Sequence, residues 1–256
     1  MTPSPDLDEL LAVAVDVATA AGALLLDRAG RPRTRVETKS SGTDMVTEVD
    51  HASEALIASM LAERRPGDGL LGEEGAARDG TTGVRWVADP LDGTTNYLYG
   101  FPVYAVSVAA EFVGEVRVGV VRDTVHGETF TALRGRGAWC NGRRLSVSGP
   151  ERLDTALVGT GFSYDPDRRR EQAALLPAVL PAVRDVRRAG AAALDLCWVG
   201  LGRLDAYYER GLQPWDVAAG SLVAAEAGAR VEVLADRTHV AAPPHLFDAL
   251  VALLQR

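Results

Sequence analysis

The chain has 256 residues, of which 47% are hydrophobic and 24% are charged, an ordinary composition for a soluble protein of one or two domains. Its 27 basic and 35 acidic residues give a net charge of −8, which argues against a general nucleic-acid binder. A small anionic substrate is not excluded, because local donors or bound cations can offset the global charge. The two cysteines, Cys140 and Cys197, suggest no disulfide framework, so we expect a cytoplasmic protein.

The first predicted element is a helix from Asp6 to Arg28, in which apolar residues recur at helical spacing. Acidic residues stand where a signal peptide would carry positive charge, and Asp16 interrupts the apolar stretch. We therefore expect a buried helix of a soluble protein and no contact with a membrane. Gly, Pro and Ser then predict a mobile loop over Gly30–Thr43.

A second helix is predicted from Val46 to Arg65, ended by Pro66 and Gly67. The helical spacing is expected to place one set of residues on a common face: Ala52, Ala55, Leu56, Ser59 and Met60.

Alternating and β-branched residues predict a large antiparallel meander in the middle of the chain. Its strands are expected at Arg85–Ala88, Val103–Phe112, Val116–Val121, Glu128–Leu133 and Leu145–Val147. The dipeptide Asn141-Gly142 predicts a tight hairpin turn.

The second half predicts helices and strands in alternation. Strands are expected at Leu157–Gly161, Asp205–Glu209, Arg230–Leu234 and His239–Ala241. Helices are expected at Arg168–Val183, Ala191–Leu201, Trp215–Ala227 and Leu246–Leu254. The change of pattern predicts an α+β fold of two subdomains, residues 1–149 and 150–256, with a boundary near Gly149-Pro150.

Acidic side chains gather where one predicted strand ends, in the segment from Asp89 to Asn96. Pro90 fixes φ and has no N–H to donate, so the chain turns there and brings Asp89, Asp92 and the Leu91 carbonyl toward one point. Ligand sets of oxygen atoms suit Mg²⁺, Mn²⁺ or Ca²⁺, and the helix N-terminus that follows suits a phosphate. Taken alone, the segment is more typical of turn and capping chemistry.

Three further acidic segments accompany it, at Asp44–Asp50, Gly72–Glu74 and Trp215–Gly220. Each alone has an ordinary interpretation, as a solvated turn or as an acid that complements a helix dipole. The four in this order resemble the inositol monophosphatase family, within a larger superfamily of lithium-sensitive, magnesium-dependent sugar phosphatases. Gly135–Ala138, Asn141-Gly142 and Leu204–Glu209 also match, so the resemblance extends over nearly the whole chain.

The resemblance implies the five-layered αβαβα sandwich of inositol monophosphatase and fructose bisphosphatase, a homodimer, and two or three Mg²⁺ ions per subunit. It assigns one ion to Glu73, Asp89 and the Leu91 carbonyl, and a second to Asp89, Asp92 and Asp216. A third, weaker ion is expected near Glu73. Without cations these carboxylates would repel one another, so the site itself predicts a metal requirement.

The same resemblance implies roles in catalysis for Glu73, Thr94 and Asp50, with Thr94 and Asp50 orienting or deprotonating the attacking water. The N–H groups of Gly93 and Thr94 are expected to hold phosphate. Substrate hydroxyls are expected to contact three further positions: Asp92, Glu209 and the backbone around Ala192. Lys39 falls on a loop that closes over the site in relatives.

Two departures from the family pattern concern the substrate pocket and a hairpin. Ala191 replaces the Ser or Thr that is usual in the family, and the region from Val231 to Pro243 is shorter than usual.

We expect hydrolysis of inositol 1-phosphate or a close polyol phosphate, because Glu209 would repel a second phosphate. The alternatives are fructose 1,6-bisphosphate, histidinol phosphate or a 3′-phosphoadenosine phosphate as substrate, or a regulatory protein of the same fold without turnover.

Overall fold

Residues 4–30, 36–38 and 45–255 are described in the computed structural model of this chain. Helix α1 spans Leu7–Arg28, and Asp6 caps it by accepting hydrogen bonds from the N–H groups of Asp8 and Glu9. By length and hydropathy alone α1 qualifies as a membrane span. Its buried residues instead pack against the larger sheet and the next helix, which is the arrangement of a core helix.

Helix α2 spans Glu48–Arg64 and begins later than predicted. The preceding Met45–Thr47 forms strand β2, which pairs with β1 (Val36–Thr38), and Thr47 caps the helix in a reciprocal bond with Asp50. The residues predicted to share one face of α2 do not form its buried side, which is rotated around the helix axis. It contains Val49, Asp50, Ser53, Glu54, Ile57 and Leu61.

The larger sheet has eight strands within the described residues, in the order β10-β9-β8-β7-β6-β5-β3-β4. These are β3 (Gly69–Gly72), β4 (Ala77–Arg78), β5 (Val84–Asp92), β6 (Ala105–Phe112), β7 (Glu115–Asp123), β8 (Glu128–Leu133), β9 (Gly137–Cys140) and β10 (Arg143–Arg144). From β5 to β10 the strands form the predicted antiparallel meander, whereas β3 pairs with β5 in parallel. The short helix α3 (Thr94–Tyr99) follows β5.

The predicted hairpin turn joins β9 to β10, with Asn141 and Gly142 both at positive φ (48° and 78°), as a tight hairpin turn requires. The predicted strand at Leu145–Val147 is wrong. Leu145 donates to Ala138 and Val147 donates to the Ala227 carbonyl, so this segment leaves the sheet edge after two residues of pairing.

The smaller sheet has five strands in the described part of the chain, in the order β12-β11-β13-β15-β14. These are β11 (Leu157–Thr160), β12 (Asp185–Arg187), β13 (Ala206–Arg210), β14 (Arg230–Val233) and β15 (Thr238–Ala242). Helices α6 (Ala192–Leu201) and α7 (Pro214–Glu226) lie between the two sheets, and α8 (Pro244–Leu254) covers the outer face of the smaller one. The described residues thus form the expected αβαβα sandwich.

The helix predicted over Arg168–Val183 is broken into α4 (Pro166–Ala173), α5 (Leu176–Val179) and a 3₁₀ turn at Leu180–Ala182. Pro177 and Pro181 lack the N–H that a continuous helix needs, which accounts for the breaks. The division at residue 149 stays a prediction. The two sheets fall on either side of it, but the buried cluster around α6 and α7 joins residues from both halves.

Alternation along β5 decides which of its residues face the site. Trp86 and Ala88 belong to the cluster under α1 and α2, whereas Val87 belongs to the cluster around α6 and α7. Asp89 is in phase with Val87, so the end of β5 directs this carboxylate toward the layer that contains α7.

Candidate functional site

The ends of β3 and β5 bring the first two acidic segments together. The strands are parallel, with Gly72 beside Ala88, so Glu73 follows β3 at the level of Asp89. The charge of Glu73 acts on Asp89, so the two carboxyl groups lie close together. Burial raises the pKa of Asp89 well above its ordinary value, and the charges of Glu73, Asp92 and Asp216 raise it further.

The turn after Asp89 uses one carboxylate oxygen for its own geometry. Asp89 Oδ1 accepts a hydrogen bond of 2.9 Å from the Leu91 N–H, and the β5–β6 register is irregular between Asp89 and Asp92. The turn interpretation of this motif is therefore correct for Oδ1, while the carboxyl group still faces three other acids.

Asp92 connects the larger sheet to the start of α6. Its Oδ2 accepts a hydrogen bond of 2.8 Å from the Ala193 N–H. Ala191 is the N-cap residue of α6 and offers no side-chain acceptor, so Asp92 supplies the missing acceptor from another segment. Burial raises the pKa of Asp92 to about 7, while bonds from the α6 backbone oppose that shift.

Thr94 and Asp50 form the predicted pair. Thr94 Oγ1 lies 2.9 Å from Asp50 Oδ1 and 3.1 Å from the Leu91 carbonyl oxygen. Asp50 Oδ2 accepts hydrogen bonds from the N–H and hydroxyl of Thr47, which fixes the carboxylate at the start of α2. Burial raises the pKa of Asp50, and the donated bonds oppose that shift.

Asp216 stands in the first turn of α7, where its Oδ2 accepts a hydrogen bond of 2.7 Å from the Gln213 N–H. Ser107 on β6 is the register partner of Asp89, and its hydroxyl donates to the Trp215 carbonyl at 3.2 Å. The start of α7 is thereby tied to the larger sheet next to Asp89. Burial raises the pKa of Asp216 well above its ordinary value.

Glu209 and Tyr208 on β13 point to opposite faces, as predicted. Tyr208 packs in the cluster under α8, whereas Tyr207 lies in the cluster around α6 and donates its hydroxyl proton to Glu209 Oε2 at 2.6 Å. Burial raises the pKa of the part-buried Glu209, and the Tyr207 bond and the Arg188 charge oppose that shift. The Glu209 charge acts on both Asp92 and Asp216, so Glu209 borders the same acidic site.

The donor chemistry of this site fits divalent cations. Asp89 is 2% exposed, and the charges that act on it most strongly are those of three carboxyl groups. A hard cation with oxygen ligands relieves such repulsion. No three His, Cys, Asp or Glu side chains in residues 4–30, 36–38 and 45–255 are already grouped closely enough to enclose an ion.

Several residues at the site are absent from the sequence-based prediction. On the buried side of α2, Ser53 and Glu54 contact the site loops. Their helical spacing from Asp50 is the sequence signal that would have placed them on the same face. Asp195 on α6 is 1% exposed, and its Oδ1 has no hydrogen-bond partner among the described residues. Arg188 is exposed, yet its charge reaches Glu209 and Asp195. Lys39 lies outside the described residues, as does Asp44 of the first acidic motif.

The chain matches proteins of known family along most of its length. The sequence pattern of the inositol monophosphatase family matches residues 6–252. The inositol-1-monophosphatase SuhB of Mycobacterium tuberculosis H37Rv is 48% identical over 246 residues, which cover 90% of this chain and 85% of the relative. The Nus factor SuhB of Pseudomonas aeruginosa is 40% identical, with 97% of each chain covered.

Solved structures agree with the fold. The extragenic suppressor protein SuhB of Bartonella henselae superimposes with a TM-score of 0.92 at 36% identity, covering 96% of this chain and 98% of the other. Mycobacterium tuberculosis SuhB superimposes with a TM-score of 0.86 at 45% identity, covering 99% and 98%. With the family pattern, the relatives and the five-layered fold in agreement, this chain belongs to the inositol monophosphatase family.

Proposed function

We propose that this protein is a Mg²⁺-dependent phosphomonoesterase that hydrolyses inositol 1-phosphate, or a close polyol phosphate, to the polyol and inorganic phosphate. The observation that carries this proposal is the gathering of Glu73, Asp89, Asp92 and Asp216, from three separate segments, within electrostatic reach of one another. Family membership supports the phosphatase chemistry.

The acidic residues would hold the metal ions. Glu73, Asp89 and the Leu91 carbonyl would hold one, and Asp89, Asp92 and Asp216 a second, with a third near Glu73. When bound, divalent ions lower the pKa of water and neutralise charge on the phosphate oxygens. The chain's own task is to present carboxylates in a fixed arrangement, which the Ala193 N–H does for Asp92 and the Gln213 N–H does for Asp216.

Thr94 and Asp50 would manage the proton of the attacking water. Asp50 Oδ1 accepts the Thr94 hydroxyl proton, which leaves the lone pairs of Thr94 Oγ1 free to accept a hydrogen bond from water. Asp50 is fully buried and is held by Thr47, so it cannot turn away from Thr94. Glu73 would take part in catalysis together with this pair.

The substrate would lie between the start of α3 and β13. Gly93 adopts a positive φ of 94° at the start of α3, so the N–H groups of Gly93 and Thr94 are the expected phosphate donors. The hydroxyl groups of the substrate would form hydrogen bonds with Asp92, Glu209 and the backbone at Ala192. Lys39 remains the proposed residue of the loop over the site.

The substrate within the superfamily is tested by phosphate release from a panel, with Mg²⁺ present. Inositol 1-phosphate is expected to be hydrolysed most efficiently. A higher kcat/KM for fructose 1,6-bisphosphate, histidinol phosphate or a 3′-phosphoadenosine phosphate would replace the substrate assignment and keep the chemistry. An absence of release from every phosphate would refute the phosphatase proposal itself.

A regulatory role is the second candidate, favoured by the relative of Pseudomonas aeruginosa that is named a Nus factor. The intact set of Glu73, Asp89, Asp92, Thr94 and Asp216 supports turnover. If the protein is solely regulatory, wild type and Asp89→Asn should be equally inactive on the panel. Turnover by wild type alone would support the enzyme.

We further propose a cytoplasmic homodimer. Tyr99 and Phe101, at the end of α3 close to the site, are 73% and 52% exposed, and such apolar side chains are typical of protein interfaces. Light scattering should give twice the monomer mass, and Phe101→Ser should lower it. A monomeric wild type would refute the dimer.

A further inference from the structure

Helix α2 meets two loops of the proposed site with three neighbouring polar side chains. Asp50, Ser53 and Glu54 are spaced so that they share one helix face. Asp50 bonds to Thr94, and Ser53 donates its hydroxyl proton to the Pro90 carbonyl at 2.9 Å. Glu54 turns toward the other loop, the one that follows β3.

Glu54 holds that loop with both carboxylate oxygens. Its Oε1 accepts the N–H of Glu74 at 2.8 Å, and its Oε2 accepts the N–H of Ala76 at 3.0 Å. The side chain is only 7% exposed, so these bonds are shielded from water. The loop also closes on itself, because the Gly72 N–H donates to the Ala76 carbonyl at 2.7 Å.

Gly72 makes room for this carboxylate. A Cβ at Gly72 would collide with Glu54 Oε1 and would lie 3.2 Å from the Ala76 carbonyl oxygen. The φ of Gly72 is not positive, so the backbone conformation alone does not require glycine. Space for Glu54 is therefore what requires glycine at this position.

This arrangement determines the position of Glu73. It precedes Glu74, whose N–H bonds to Glu54, and it follows Gly72, where a Cβ would collide with the Glu54 carboxylate. The charge of Glu73 acts on Asp89. We propose that Glu54 is a positioning residue: by accepting the N–H groups of Glu74 and Ala76, directly after Glu73, it fixes the Glu73 carboxylate near Asp89 and so preorganises the cation site. This inference rests on the proposed function, because it assigns Glu73 to the metal-binding set.

A matched control distinguishes this positioning role of Glu54 from a merely structural one. Asp68 is another buried carboxylate, 1% exposed, and stands before the opposite end of β3. It accepts hydrogen bonds from Trp86 Nε1 at 3.0 Å and from Arg65 Nε at 2.8 Å. Asp68→Asn should lower the stability of the same strand without moving Glu73.

The experiment measures two quantities on wild type, Glu54→Gln and Asp68→Asn. The first is Mg²⁺ affinity by calorimetric titration of the metal-free protein. The second is hydrogen exchange at the amides of Glu74 and Ala76, which needs no metal. Gln can accept only one of the two N–H bonds, so Glu54→Gln should weaken Mg²⁺ binding about tenfold and speed exchange at those amides. Asp68→Asn should change neither quantity, although its Tm should fall.

The inference is overturned if Glu54→Gln binds Mg²⁺ as tightly as wild type. It is also overturned if Asp68→Asn loses as much Mg²⁺ affinity as Glu54→Gln does. If wild type binds no Mg²⁺, the proposed function fails and this inference fails with it. If Glu54→Gln does not fold, Gly72→Ala provides a second test, because it keeps Glu54 and displaces the Glu54 carboxylate. It should weaken Mg²⁺ binding in the same way, and unchanged affinity would contradict the inference.

Discussion

Replacing Asp92 with Asn should make the metal-free protein more stable at alkaline pH while abolishing turnover. Asp92 is 8% exposed, and burial with the charges of Glu73 and Glu209 raises its pKa to about 7. An Asn at this position keeps an oxygen for the Ala193 N–H and removes the buried negative charge.

The magnitude follows from the difference between the folded and ordinary pKa values, about 7 against 3.8. Between these values the native state binds more protons than the unfolded state, so the free energy of unfolding falls as the pH rises through that range. At about 1.4 kcal/mol per pKa unit, the whole loss is about 4 kcal/mol, reached above pH 7. At pH 5 wild type has lost only about 2 kcal/mol of its free energy of unfolding in this way. The stability of Asp92→Asn relative to wild type should therefore rise by about 2–3 kcal/mol between pH 5 and pH 8.

The assay is urea unfolding of both proteins in EDTA at pH 5 and pH 8, where a shift in midpoint at constant m reports stability. Asp68→Asn is the control and should be less stable than wild type at both values, because its carboxylate is bonded to Arg65 and Trp86. Added Mg²⁺ should raise the stability of wild type more than that of Asp92→Asn. If Asp92→Asn is less stable than wild type at pH 8, or if its advantage does not change with pH, the electrostatic reasoning is wrong.

Two further predictions concern the substrate and the labile ion. Glu209→Gln should lower kcat/KM for inositol 1-phosphate about tenfold, since a charged hydrogen bond contributes roughly 1.5–3 kcal/mol. Hydrolysis of an aryl phosphate without those hydroxyls should hardly change, and equal losses on both substrates would place Glu209 in support of the fold instead. Li⁺ should inhibit in the millimolar range, uncompetitively or with mixed kinetics, through the site of Asp89, Asp92 and Asp216, as the family resemblance implies. Steady-state rates that are unaffected by Li⁺ would show that this site is built differently.

Local sequence signals predicted most of the fold because they act over short distances. The apolar spacing of α1, the Asn141-Gly142 turn and the alternation of the meander each depend on neighbouring residues. The failures arise where distant contacts decide. The predicted face of α2 followed its small and apolar residues, but the helix buries Asp50, Ser53 and Glu54, which bond to loops far along the chain.

The candidate site also has features that the sequence predicts and features that depend on distant contacts. The motif residues were identifiable because the four acidic segments in this order resemble the inositol monophosphatase family, although the proline turn alone is more typical of turn chemistry. The bond from the Ala193 N–H to Asp92 joins residues 101 positions apart, and the tie of Glu54 to Ala76 crosses from a helix to a loop. Neither leaves a local pattern. The capping of α6 by Asp92 also offers a physical reason why Ala191 is tolerated there.

The central claim is that Asp89 and its neighbouring carboxylates bind cations that catalyse phosphate-ester hydrolysis. The most direct test is phosphate release from inositol 1-phosphate by wild type and Asp89→Asn, each with Mg²⁺, after EDTA, and after Mg²⁺ is restored. Wild type should release phosphate with Mg²⁺, stop in EDTA and recover when Mg²⁺ returns, whereas Asp89→Asn should remain folded and inactive throughout. Continued release in EDTA, or full activity of Asp89→Asn, would contradict the account.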